Sequence, residues 1–395
     1  MNLRHVILCC SCLVSFMLTL CAVSEEPLVE GRALWVTRFD YKSPEDVEKI
    51  IKNCKDYNFN QILLQVRGNG TVFYKSDIEP WAFELTSDSP ATTGKDPGWN
   101  PLNVACDLAH KSGLQLHAYM NVFPAWRSQK YPPKEAKQLW TEHPDWFMVD
   151  KNGNKMIPRD HDVDPSVGTW YSFISPGIPE VKDYVVKVFL EVIKRYDIDG
   201  VHFDYIRYPS EVGDYSYDPI SLKRFHEVYG KSPQELPHQW AFWRGQQVTD
   251  VVRRIYREGS AIKPNLIFSA AVGRNYEHAK NDLYQRSQEW LEEGILDIAM
   301  PMIYTTSLED FKIYTDDFVK HSSGRFIYPG IGVFRIQNPE GVAEQVKAAR
   351  ELKANGTVMF AYSSLFPEHK PNNIAEMLKK NLFPTPAAPP KLTWK

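Results

Sequence analysis

From about residue 31 to about residue 380, short apolar runs alternate with amphipathic stretches. Ala33 to Asp40 reads as a first strand. A helix follows, with Ser43 suited to the N-cap, Pro44 to the first turn and Asp46 to the positive helix end. Gln61 to Arg67 reads as a second strand, and a helix from Leu102 to Lys111 leads through Gly113 into a third at Leu114 to Val122. Pro179 to Leu190 has apolar residues on a helical period. Beyond it Asp199-Gly200 reads as a tight turn into a fourth strand, where Val201 and Phe203 take one face and His202 and Asp204 the other. Asn265 to Gly273, Leu296 to Tyr304, Arg325 to Phe334 and Gly356 to Leu365 supply four more strands. Helices are expected between them at Phe242 to Glu258, Tyr284 to Glu293 and Pro339 to Ala354.

Eight strand-helix units in about 350 residues predict an α/β fold, a (β/α)8 TIM barrel with long inserted loops after strands two and three. An open doubly wound sheet is the competitor, but no GxGxxG follows the first strand. The inserts, residues 68–100 and 123–178, hold Trp81, Trp99, Trp126, Trp140, Trp146 and Trp170. They follow strand C-termini, where they either wall a groove or pack on themselves. The barrel is expected over 30–382, and 383–395 reads as a Pro-rich tail without a core.

Residues 1–24 read as a signal peptide: Arg4 and His5 precede an apolar run from Val6 to Leu20, and Ala22-Val23-Ser24 resembles a cleavage site before Glu25. The mature chain is then secreted or periplasmic, with no transmembrane span. Leu18-Thr19-Leu20-Cys21 offers the alternative of a lipoprotein, against which bulky Leu20 counts. Four of the six cysteines leave with the leader. Cys54 and Cys106 fall in helical patterns as buried thiols, and no zinc spacing is present, so neither metal nor cofactor is expected. A net charge of −3 gives no reason to expect a nucleic-acid partner. Aromatic content does change the picture, with 11 Trp, 20 Tyr and 20 Phe. Most are core, yet flat rings also cover the apolar faces of sugars.

Strand parity collects polar residues near the C-terminal strand ends, the catalytic end of a barrel. If Asp204 faces inward, so do Arg38 with Asp40, Gln65 with Arg67, and His117 with Tyr119 and Asn121, while Tyr304 and Tyr362 complete the ring. Asp204 is the leading catalytic candidate, because glycoside hydrolysis needs carboxyl groups as acid and as nucleophile or base. Asp40 and Glu277 are the candidates for the second. Arg38, Arg67, Arg207 and Arg274 either neutralise carboxylates or bind an acidic sugar. Trp99 and Tyr208 join them as candidate substrate contacts. His117 reads as an interior histidine, and His202 as the residue that orients Asp204.

Several motifs resemble family-10 glycosyl-hydrolase-like proteins, a bacterial group. They are Ile198 to Pro209 (IDGVHFDYIRYP), Ser175 to Val181 (SPGIPEV), Gly31 to Val36 (GRALWV), Glu79-Pro80-Trp81, Pro97 to Leu102, His117 to Asn121 and Ala299 to Tyr304. The resemblance runs from about residue 30 to about 380. It implies a TIM-barrel hydrolase of O-glycosyl bonds, with Asp204 as a catalytic carboxylate and a polysaccharide or peptidoglycan-like glycan as substrate. Asn121-Val122-Phe123-Pro124 stands where relatives show a Pro-Tyr-Arg ending, and Met302 where many carry Gln, so substrate contacts there are expected to differ. Two alternatives stay open. One is a metal-dependent polysaccharide hydrolase or deacetylase using His117, His202 and Asp204. The other is a non-catalytic glycan-binding barrel.

Overall fold

A computed structural model describes residues 28–128, 130–156, 171–209 and 214–395. The expected leader and Trp170 lie outside the described residues. Eight parallel strands close into a barrel. They are β1 (Gly31–Val36), β2 (Gln61–Arg67), β3 (Gln115–Asn121), β4 (Gly200–Asp204), β5 (Ile267–Val272), β6 (Ile298–Ile303), β7 in two runs (Phe326–Ile327 and Gly330–Gly332) and β8 (Gly356–Phe360). Each strand pairs with the next. β8 returns to β1 in the register Ala33↔Val358, which closes the ring.

Every residue of β1, β2 and β4 is buried, because each strand has helices outside it and the barrel interior inside. Ala33, Trp35, Leu63, Tyr119, Ile298, Met300 and Val358 fill the interior. Val201 and Phe203 point outward into the layer beneath the helices. In the first helix, Pro44–Asp56, Ser43 Oγ accepts from Asp46 N. Val47, Ile50, Ile51 and Cys54 form its buried stripe. Cys54 and Cys106 are free buried thiols.

Several boundaries differ from the pattern. β1 stops at Val36 because Thr37 to Asp40 form a turn: Asp40 N donates to Thr37 O (3.0 Å) and Asp40 Oδ2 accepts from Thr37 N (2.6 Å). Local side-chain bonding of this kind competes with the ladder. Gly200 begins a strand rather than making a turn. A Cβ there would lie 2.6 Å from His117 Nδ1, so glycine is what lets the imidazole occupy the interior. The helix expected from Tyr284 to Glu293 is shorter, Ser287–Glu292, and a separate helix at Tyr276–Asp282 precedes it.

The tail expected to lack a core is tied across the N-terminal end of the barrel. Ala388 exchanges backbone bonds with Leu28 and Glu30, and Leu392 packs against the interior cluster. Trp394 Nε1 (2.8 Å) and Lys395 Nζ (2.6 Å) donate to Asp297, which is wholly buried just before β6. The insert tryptophans pack among the inserts and against the core: Trp81 and Trp99 lie on the core, Trp126 is fully buried and meets Phe83 of the first insert, Trp140 meets Phe147 edge-on and Trp146 stacks on His143.

Candidate active site

The inward side chains at the C-terminal strand ends leave a cavity of about 270 Å³, toward the small end for a ligand pocket. Its walls are the rings of Trp35, Phe39, Tyr119, Tyr171, Tyr205, Tyr304 and Phe360, with Arg38, Arg207 and Asp204 set among them. Asp204, the last residue of β4, is the one carboxylate among the described lining residues and is 8% exposed. Its Oδ2 accepts from the Tyr119 hydroxyl (2.7 Å) and its Oδ1 from Tyr205 N (2.6 Å). Burial raises its carboxyl above the ordinary range, while the Tyr119 bond, the charge of Arg207 and the Tyr205 N–H oppose that shift.

One layer below, the Trp35 indole donates to His202 Nε2 (2.9 Å). An indole N–H can only donate, so the imidazole proton sits on Nδ1 and is given to Ser269 Oγ (2.9 Å). Burial first, then His117, drives the His202 pKa far down, which keeps the ring neutral. The expectation that His202 orients Asp204 is thus corrected: its hydrogen bonds hold Trp35, the floor of the cavity. His117 is wholly buried with both ring nitrogens unbonded among the described residues, and burial lowers its pKa to about 4. His117, His202 and Asp204 do not converge as ligands. Among the described residues no group of three or more His, Cys, Asp or Glu is placed to hold a metal.

Arg38 lines the cavity with its charge already engaged by Glu84 (3.2 Å) and the Tyr171 hydroxyl (3.0 Å). Burial opposes that charge, but Tyr171 and Glu84 hold its pKa above the usual value. Arg207 differs. It is 8% exposed, its Nη1 donates to Tyr208 O (3.1 Å), and its buried Nε has no partner among the described residues.

The structure brings Asp204, Arg38, Gln65, Tyr119, Arg207 and Tyr304 together at the cavity, and leaves the other candidates elsewhere. Asp40 is off the wall because its carboxylate turns back to Thr37 N and Oγ1. Glu277 is exposed on the helix Tyr276–Asp282 and lines a separate cleft with Lys280 and Arg286. Arg67 is held by both oxygens of Glu79 (2.8 and 2.6 Å) and by main-chain carbonyls. Asn121 bonds Gln65 and the Gly68 carbonyl, so it braces neighbouring strands. Trp99 packs half-buried against the outer core. Tyr208 is buried against Tyr284, and exposed Arg274 lies over Tyr314. Tyr362 follows the end of β8 and bonds Asn53 and His369.

Trp35, Phe39, Tyr171, Tyr205 and Phe360 are lining residues that sequence reasoning missed. Trp35 was within reach: odd positions of β1 face inward once the strand is stopped at Val36, whereas extending it to Asp40 put the even positions inside. Tyr171 and Phe39 lie on loops, where no period applies.

The profile of the glycosyl hydrolase-like 10 family matches residues 30–349. The chain is 26% identical to glycosyl hydrolase YngK of Bacillus subtilis (strain 168), over 92% of its own length and 74% of that protein. It is also 26% identical to glycosyl hydrolase DigH of Escherichia coli (strain K12), over 72% of its length, and spans 64% of DigH. Among solved structures, α-L-fucosidase isoenzyme 2 from Paenibacillus thiaminolyticus superposes with a TM-score of 0.61 at 16% identity. That match takes in 89% of this chain and 48% of the fucosidase, and shows the fold alone.

Proposed function

Since this chain belongs to the glycosyl hydrolase-like 10 family, we propose that it is a secreted enzyme. In this reading it hydrolyses O-glycosyl bonds in a bacterial envelope glycan or another polysaccharide, with Asp204 as its catalytic carboxylate. The observation that carries the reading is Asp204 itself. It is a nearly buried carboxyl at the C-terminal end of a barrel strand, inside a cavity walled by aromatic rings. The rings cover the apolar faces of a sugar while Asp204 stabilises the oxocarbenium-like charge that grows as the glycosidic bond breaks. Water exclusion by those rings strengthens each electrostatic contact in the cavity.

Asp204→Asn keeps the shape and removes the charge. It is expected to leave the fold intact and lower turnover by at least about a thousandfold, on the order of 4 kcal/mol of barrier. Release of reducing ends from peptidoglycan glycan strands and a polysaccharide panel measures this. Near-normal hydrolysis by the variant would overturn the assignment. Binding without any release of reducing ends by the unaltered protein would instead favour a glycan-binding barrel.

A further inference from the structure

We infer that Tyr119 is the positioning residue of Asp204: its hydroxyl fixes the orientation of the carboxylate and which of its lone pairs face the sugar. The inference rests on the reading of Asp204 as the catalytic carboxylate. A carboxylate offers about four acceptor sites. Tyr119 takes one on Oδ2 (2.7 Å) and Tyr205 N takes one on Oδ1 (2.6 Å), which leaves the rest for substrate. The Tyr205 bond comes from the adjacent residue, whose φ of +49° lies in the left-handed region. The Tyr119 bond is the one that crosses between strands.

Packing holds Tyr119 to this task. It pairs in register with His202 on β4, one layer below Asp204, and its ring stands edge-on to the imidazole (5.3 Å, 90°). His202 is in turn fixed by Trp35 and Ser269, so the phenol is held from below and directed up to the carboxylate. The other charged or titratable groups around Asp204 are Arg207 and Tyr205 after β4, Arg38 after β1, Tyr171 from the second insert and Tyr304 after β6. Arg38 is offset by Glu84, His202 is neutral, and the Tyr304 hydroxyl is held far from ionising by burial and then by Asp204 itself. Among side chains, Arg207 and Tyr119 therefore oppose the effect of burial, and Tyr119 does so through a direct hydrogen bond.

The test reads Asp204 without needing a substrate. Carbon-13 carboxyl NMR of aspartate-labelled protein, with the Asp204 signal assigned by its loss in Asp204→Asn, follows its titration. Tyr119→Phe keeps the ring and its packing on His202, and is expected to move the midpoint upward. Incorporation of 3-fluorotyrosine at position 119, a stronger donor, is expected to move it downward. In the pH profile of kcat/KM for reducing-end release from peptidoglycan glycan strands, Tyr119→Phe should shift the acid limb upward. That costs about tenfold at the acid end, with recovery toward alkaline pH. An Asp204 midpoint that stays put in both variants, with thermal melting unchanged, overturns the inference. Midpoints that move as expected in a protein that cleaves no glycan would uphold the Tyr119–Asp204 coupling and overturn the hydrolase reading alone.

Discussion

Asp204 sits where its charge is disfavoured. Burial raises its carboxyl above the ordinary range, so the unfolded chain releases this proton at lower pH than the fold does. Below the unfolded value, about 3.9, both states carry the proton and the group contributes nothing. As pH rises through that value and then through the folded one, the ionised buried carboxylate comes to cost stability. Asp204→Asn is therefore expected to melt higher than the unaltered protein at neutral pH, with the margin closing on acidification. Thermal melts from acid to neutral pH check this, and a margin independent of pH would contradict it. Arg207 presents the complementary case, a guanidinium at the cavity with a buried Nε that has no partner among the described residues. A substrate carboxylate fits it, since guanidinium donors match carboxylate oxygens. Arg207→Ala is expected to weaken binding of oligogalacturonates by about tenfold or more while changing neutral oligosaccharides little, as measured by calorimetry. Equal losses on both, with a lowered melting temperature, would mark the residue as structural.

At the scale of elements, two short segments do work that their composition conceals. Thr37 to Asp40 resembles the end of a strand, yet the Asp40 carboxylate closes it into a turn. The turn sends Arg38 into the interior at 1% exposure and leaves Phe39 at the rim of the cavity, 53% exposed. The tail resembles a linker, yet it supplies partners for Asp297, which is wholly buried at the closed end of the barrel. Lys395→Met removes the ammonium and leaves Trp394, the Phe268 N–H, the Tyr256 hydroxyl and a more distant Arg325 to satisfy that carboxylate. We expect a loss of about 1–3 kcal/mol in urea unfolding, with catalysis at the far end of the barrel unaffected. No measurable loss would mean that the tail rests on the barrel without supporting it.

For the molecule as a whole, the leader proposed for residues 1–24 predicts that terminal sequencing of the exported form begins at Glu25; a form starting at an acylated Cys21 would place the protein on a membrane surface instead. The barrel was legible because its signals are periodic and local. Alternation put Val201 and Phe203 outside and His202 and Asp204 inside, and the structure has them so, since a one-residue slip would turn every side chain to the wrong face. That same parity identified Tyr119. What parity cannot reach is where a strand stops or which buried charges meet. Parity run four residues past the end of β1 places Asp40 with the interior, and Arg67 at the end of β2 has the pattern of a substrate contact, yet Glu79, twelve residues on, holds it. Tyr171 comes to the cavity from an irregular insert, and Trp394 reaches Asp297 across 97 residues. Local pattern thus determined the barrel, its inward faces and the place of Asp204, because backbone geometry repeats from residue to residue. The partners that tune Asp204, occupy Arg67 and close the barrel's far end were decided by tertiary structure, because those contacts depend on distance in space between segments that share no period.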